Sequence, residues 1–311
     1  MNKTKSSLEQ SGIKGNVKSI ETKKYYTIKK SGKIKQGKLK EYSLETYDGD
    51  GNMLSLNFRT STFDMKILYE YDSKKNILKE STFEKDVLDS EIIYKYDLNG
   101  NLIEDLVISQ NDTYRIGTKY EYDSKGNLIK EHTTNSVGLD QEEIHKYDSE
   151  GKEIEFYSFC GGELNSKNTY KHDSKGNTIE INYYDAKEKL IETRKYEYDS
   201  KGNKIVFVYL PDGTLIKKEI LNANGEIIEM YLSNSEGNLY LKLKCNYNYN
   251  SFGNLVKRDF YDSETNTTYQ ETHKYKLDHN NNWIKDITLR NKGNSIIIIR
   301  KIEYYGKTQD E

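Results

Sequence analysis

Apolar and polar positions alternate along this chain in short runs, and turn residues break the runs at a regular interval. The unit Tyr-Asp-x-x-Gly-Asn stands at residues 47–52, 96–101, 122–127 and 198–203, with variants at Tyr71-Asp72, Tyr147-Asp148, His172-Asp173, Tyr249-Asn250 and Leu277-Asp278. Positions 47, 71, 96, 122, 147, 172 and 198 lie 24 to 26 residues apart, and a weaker turn falls near the middle of each interval. Such dense turn signals, with no stripe of helical period between them, predict short antiparallel strands, two per repeat and roughly 22–24 in all. Within the turn, Asp accepts from amides further on and Gly supplies the left-handed backbone that ends it. Lys75 and Asn281 must adopt that conformation where Gly is missing.

The strand pattern has one ring-bearing face. Two residues before the motif Tyr stands Tyr69, Tyr94, Tyr120, His145, Tyr170, Tyr196, Tyr247 or Tyr275, and the residue between the two rings is polar each time. A spacing of two puts both rings on one side of a strand. Three residues after the turn position come Leu54, Leu78, Ile103, Ile129, Ile154, Ile179, Ile205, Val256 and Ile284. A four-residue loop would set Tyr122 against Asn127 and Tyr120 against Ile129, burying rings and aliphatics together, and that register is the one expected. A sheet with one such face must roll up or stack. The fold class predicted is all-β, a long antiparallel meander of tandem hairpin repeats curled into an open shell, a superhelix or a barrel. Its expected parts are a disordered basic tail over 1–12, basic hairpins over 13–45, the repeat meander over 46–290, and a capping strand and tail over 291–311.

Composition sharpens this in three places. Tyr occurs 28 times against 8 Phe and 1 Trp, which suits half-buried pleated surfaces, and the lone Pro211 excludes a Pro-rich linker. The net charge is -2, yet residues 1–40 hold 12 Lys and 2 Glu. Such a segment has the makings of an anion-binding arm, but it also reads as a solvated first hairpin, and no nucleic-acid motif accompanies it. Ile296 to Ile299 are apolar on both strand faces, so that strand needs a cover: the N-terminal segment, a turn of the rolled sheet, or another copy through self-association. No run of 18 apolar residues suggests a membrane span, and the first 20 residues hold no signal-peptide core.

The Tyr-Asp-x-x-Gly-Asn units resemble the YD repeats of the RHS (rearrangement hotspot) superfamily, from residue 45 to about 290. That resemblance implies a β-shell that encloses a polypeptide, or a surface protein that binds carbohydrate or cell-wall partners, and it points to an exported setting. The chain departs from toxin-carrying members in lacking an Asp-Pro-x-Gly core signature, and it looks more like the small stand-alone bacterial repeat proteins. Localisation stays open.

Candidate chemistry is sparse. His145, His172 and His273 stand where other repeats carry Tyr, which reads as ring-for-ring replacement, with no adjacent carboxylate pattern to suggest a metal. Residues 48–52 superficially match a calcium loop, but Met53 and Arg59 occupy its Gly and Glu positions. Turn capping accounts for the row Asp48, Asp72, Asp97, Asp123, Asp148, Asp173 and Asp199. Cys160 beside Gly161-Gly162 has no partner base at a defined spacing, and no Gly-x-Ser-x-Gly, P-loop or His-Glu-x-x-His motif is present. The expectation is therefore a non-enzymatic binding or structural protein without cofactor or metal. Tyr94, Tyr96, Tyr120, Tyr122, Tyr196 and Tyr198 are its candidate ligand-binding residues, for a carbohydrate, a cell-wall component or a protein, with an enclosing shell as the alternative.

Overall fold

The repeat turn builds itself from the motif residues. At residues 123–127 the Asp123 amide donates to the Asn127 carbonyl at 2.9 Å and the Gly126 amide to the Asp123 carbonyl at 3.0 Å. Asp123 Oδ1 accepts from the amides of Lys125 and Asn127 at 2.8 and 2.9 Å, while Oδ2 accepts from Asn127 Nδ2 at 2.8 Å. The same carboxylate cage recurs at Asp48, Asp72, Asp97, Asp173 and Asp199. Gly126 has φ +87°, and Lys75 and Asn281 take φ +75° and +63° in its place. Bonds from Asn127, side chain first and backbone second, hold the Asp123 carboxyl below its usual range.

The strands that leave these turns are not in the expected register. The hairpin closes on Asp123 and Asn127 around three residues, and a bulge follows, so that Tyr122 faces Leu128, Glu121 faces Lys130 and Tyr120 faces Glu131. Ile129 is the inserted residue and has no partner. The expected pairing of Tyr120 with Ile129 is therefore wrong: the three-residue loop moves the register by one residue, to Tyr122–Leu128, and the bulge moves it by one more, to Tyr120–Glu131. The aliphatic position it served is not buried either: Leu54, Leu78, Ile103, Ile154 and Ile179 remain 36–40% exposed.

The computed structural model describes residues 6–306. A short helix, α1 (Ser7–Ser11), precedes the strands. These are β1 (Val17–Lys30), β2 (Lys33–Tyr47), β3 (Met53–Arg59), β4 (Asp64–Tyr71), β5 (Ile77–Glu84), β6 (Val87–Tyr96), β7 (Leu102–Ser109) and β8 (Arg115–Tyr122). Next come β9 (Leu128–Asn135), β10 (Asp140–Tyr147), β11 (Glu153–Cys160), β12 (Glu163–His172), β13 (Thr178–Tyr184), β14 (Leu190–Tyr198) and β15 (Lys204–Tyr209). The last are β16 (Leu215–Leu221), β17 (Ile227–Ser233), β18 (Leu239–Tyr249), β19 (Leu255–Asp262), β20 (Thr267–Leu277), β21 (Trp283–Arg290) and β22 (Ile296–Tyr304). Each strand pairs antiparallel with the next, and β22 pairs with β1 from Val17–Tyr304 to Tyr26–Ile296. The 22 strands form one closed up-and-down barrel.

Closure answers the question posed by Ile296 to Ile299. The strand lies between β21 and β1, Ile297 is 4% exposed, and no edge is left for self-association through it, contrary to that expectation. A second correction concerns the N-terminus, where a frayed tail is expected over 1–12. Residues 1–5 lie outside the described residues, but Ser6 caps α1 through a reciprocal capping box with Glu9. Leu8 then joins Val17, Ile20 and Tyr47 in the main buried cluster, flanked by Ile13, Met53, Ile302 and Tyr304. The basic segment supplies the two longest strands. Its β1–β2 hairpin runs past the points where β22 and β3 stop, at Tyr26 and Tyr42, so its tip stands clear of the ring.

Candidate functional site

Directly opposed residues share a face of the sheet and alternate positions share it along a strand. The face bearing the motif rings is the less exposed, with Thr118, Val206, Val208, Cys245, Glu271, Asp286 and Thr288 buried on it. In a closed ring, side chains on the concave side converge and shade one another, so this is the inner wall. The opposite face carries cross-strand ion pairs such as Lys95–Glu104 and Lys146–Glu155, at 2.8 and 2.9 Å.

The motif Tyr serves as a clip between repeats. The β7–β8 ladder ends at Glu104–Lys119, leaving the Leu102 carbonyl beyond it, and the Tyr122 hydroxyl donates to that carbonyl at 2.8 Å. Tyr71, Tyr96 and Tyr147 do the same to the carbonyls of Met53, Ile77 and Leu128, at 2.7, 2.9 and 2.7 Å. His172 Nε2 reaches the Glu153 carbonyl at 2.6 Å, which explains why an imidazole can replace the phenol there. Where the repeat compresses, the earlier ring takes over: Tyr247 and Tyr275 donate to the carbonyls of Ile227 and Leu255 at 3.2 and 2.8 Å.

The six predicted ligand rings thus have different surroundings. Tyr96 and Tyr122 are clips. Tyr94 and Tyr120 donate to Glu80 at 2.7 Å and to Asp105 at 2.6 Å, and burial followed by those carboxylates pushes both phenols well above their ordinary range. Tyr196 lies under Lys204, whose Nζ is 4.3 Å from the ring centre, and burial pushes its phenol up to about 12. Tyr198 is 46% exposed. β6 and β8 set the first four rings side by side on the inner wall, while Tyr196 and Tyr198 stand six strands further round, so the six form no single site.

Charge on this wall is segregated. From β3 to β13 it carries Glu80, Asp105, Glu131, Glu143 and Glu153, whereas the Lys and Arg residues of those strands, such as Lys79, Lys119, Lys130 and Lys146, take the outer face. From β14 onward Arg194, Lys204, Lys217, Arg258, Arg290 and Arg300 enter the wall beside Glu219, Glu271 and Asp286.

Two carboxylate–histidine clusters lie on the wall, and sequence spacing missed both because Asp286, Glu131 and Glu153 come from neighbouring strands. His273 bridges Asp286 and Glu271 at 3.0 and 3.1 Å, and Glu271 also receives Arg290 Nε at 2.5 Å. Burial opposes ionisation of Glu271, but the bonds from Arg290 and His273 prevail and hold its carboxyl below the usual range. Beside it a concavity of about 440 Å³ is lined by Arg258, Phe260, Tyr269, Glu271 and Arg290. In the second cluster His145 Nδ1 lies 2.7 Å from Glu153 and Nε2 lies 3.7 Å from Glu131. The one local signal for it is Glu143, two residues before His145. Cys160 is exposed and Cys245 buried, both as free thiols.

The fold and this wall define a 22-stranded antiparallel β-barrel with a Tyr-rich, ionised interior. No family model and no curated protein matches the chain. Among solved structures it is similar to the crystal structure of TcdB2-TccC3-Cdc42, at 12% identity over 94% of this chain and 21% of that one, with a TM-score of 0.36. It is also similar to a porin-like protein from Bacteroides uniformis ATCC 8492, at 10% identity over 92% of this chain and 98% of that one, with a TM-score of 0.30. The chain spans about a fifth of the length of the TcdB2-TccC3 chain that it matches.

Proposed function

We propose that this barrel is a non-enzymatic scaffold that receives a cationic stretch of polypeptide against its inner wall. The observation that carries this reading is the arc from β3 to β13, where Glu80, Asp105, Glu131, Glu143 and Glu153 face inward and the basic residues face out. Four of the six rings first suggested as a sugar platform already spend their hydroxyls on carbonyls or carboxylates of the barrel itself. A half-shaded acidic surface with low-dielectric ring faces between its charges favours Lys and Arg side chains, through ion pairing and cation–π contact.

The test uses a labelled Lys/Ser peptide of about 20 residues, its Glu/Ser counterpart, and chitin and cellulose hexasaccharides, each titrated into the full chain by fluorescence anisotropy or calorimetry. Binding of the cationic peptide alone, weakened by salt and by Glu80→Gln with Asp105→Asn, supports the proposal. Absence of peptide binding overturns it. Saturable sugar binding that Tyr198→Ala abolishes would favour the glycan reading, for which Tyr198 is the exposed ring among the six candidates.

A further inference from the structure

We propose that Glu131, Glu143 and His145 bind one divalent transition-metal ion, Zn²⁺ by the chemistry of the donors, on the inner wall between β9 and β10. Glu131 and Glu143 are directly opposed across the two strands, and His145 follows Glu143 by two residues on the same face. Like charges opposed in this way destabilise a sheet unless something neutralises them. Burial, and after it the Glu143 charge, pushes the Glu131 carboxyl above its ordinary value.

The imidazole completes the set. The contact of Nδ1 with Glu153 Oε1, at 2.7 Å, fits a ring N–H donating to a carboxylate, which leaves the lone pair on Nε2. Nε2 is itself buried and has no hydrogen-bond partner. The contrast with His273 is direct, because both nitrogens of that ring reach a carboxylate. A carboxylate that fixes the far nitrogen while the near one is offered to an ion is the outer-shell arrangement of metal-binding histidines.

One ligand atom from each of the three residues falls within 4.8 Å of the others. Tetrahedral bonds of about 2.0–2.2 Å put donors about 3.3–3.6 Å apart, so small side-chain rotations close the site. Two carboxylates balance a dication, and one imidazole favours zinc or a neighbouring transition metal over calcium or magnesium. Three protein ligands leave a coordination position for water or another small ligand.

The experiment is titration of ZnCl₂ into the chelator-stripped full chain at pH 7, read by calorimetry and by metal analysis after dialysis. One zinc per chain is expected, together with a higher melting temperature and a visible-absorption band when Co²⁺ replaces it. His145→Ala and Glu143→Gln should each weaken binding at least about tenfold, and Glu153→Gln should weaken it by about 10–100-fold without removing a ligand. His132→Ala leaves it unchanged. Near-ultraviolet circular dichroism confirms that each variant is folded, and Glu143→Gln, nearly isosteric, stands in if His145→Ala is not. Stoichiometric zinc that His145→Ala and Glu143→Gln retain would place the ion elsewhere and overturn the proposal. So would no zinc binding in the parent chain, with Glu131→Gln raising its melting temperature, since the two carboxyls would then simply share a proton.

Discussion

Removing the clip hydroxyls tests the account of the repeat most directly. Tyr122→Phe keeps the ring and deletes one hydrogen bond, leaving the half-buried Leu102 carbonyl beyond the end of its ladder without its partner. A neutral bond of this kind contributes about 1 kcal/mol net. The Tyr71, Tyr96, Tyr122 and Tyr147 clips recur once per repeat, two strands or about 10 Å apart, so their effects should nearly add, giving about 4 kcal/mol for the fourfold Phe variant. With about 2.1 cal/mol/K per residue, a chain of 311 residues has an unfolding entropy near 0.65 kcal/mol/K, and 4 kcal/mol lowers its melting temperature by about 6 °C. Differential scanning calorimetry of parent, single and fourfold variants measures this, with Tyr198→Phe as the control that should melt with the parent. A fourfold variant within about 1 °C of the parent, or a control as damaging as Tyr122→Phe, would show that the rings hold the repeats by packing alone.

Three further outcomes follow from particular residues. Lys75→Gly relieves a left-handed backbone at φ +75° and should raise stability by about 1 kcal/mol despite the lost ion pair with Asp50; a urea midpoint that falls would contradict the strain argument. Leu8→Ala should cost about 2–3 kcal/mol and lower the melting temperature by about 4 °C if α1 is an integral part of the barrel, whereas an unchanged melt would detach it from the core. The motif carboxyls, held below their ordinary range at Asp48, Asp72, Asp97, Asp123, Asp148, Asp173 and Asp199, add stability that is complete above about pH 5 and is lost as pH falls through their folded values. The urea midpoint should therefore drop between about pH 5 and pH 2, and a flat profile there would mean the turns do not depend on charge.

The repeat, its antiparallel hairpins and the chemistry of its turns were legible because each is local. Asp, Gly and Asn recur at fixed offsets, and the Asp capping and left-handed Gly they predict are present, although the loop holds three residues and not four. What the one-dimensional pattern hid is the bulge that follows most of these turns, such as 123–127, but not the turn at 199–203. Ile129 looks like a core residue because a four-residue loop would set it opposite Tyr120, but the bulge leaves it without a partner, and the residue opposite Tyr120 is charged. Closure into a barrel, with the N-terminal segment as the cover of Ile296 to Ile299, was among the expected outcomes, but the pattern did not choose it over an open shell or another copy. Nothing local in Ile296 to Ile299 says that residues some 270 positions earlier will cover them. The two His clusters escaped for the same reason, since Glu131 and Glu153 reach His145 from adjoining strands.

These failures share a physical cause that bears on function. A barrel filled by apolar side chains would announce its inward residues by hydrophobicity, whereas this one satisfies its wall strand by strand, phenol to carbonyl and phenol to carboxylate. Such a wall is already stable next to water and does not require an apolar filling. Charge on it can then be distributed for a guest instead of a core. The arc from β3 to β13 has no inward Lys or Arg among its described residues, while the concavity near β20 sets Arg258, Arg290 and Lys292 beside Asp262 and Glu271, a mixed lining with a small excess of positive charge. A polypeptide lying across both arcs would be held in one direction only, with its basic stretch against Glu80 and Asp105 and an acidic end towards Arg290. Reversing the order of charges in the test peptide while keeping its composition should therefore weaken binding, whereas equal affinity for both orders would mean that the wall acts as a uniform acidic sink.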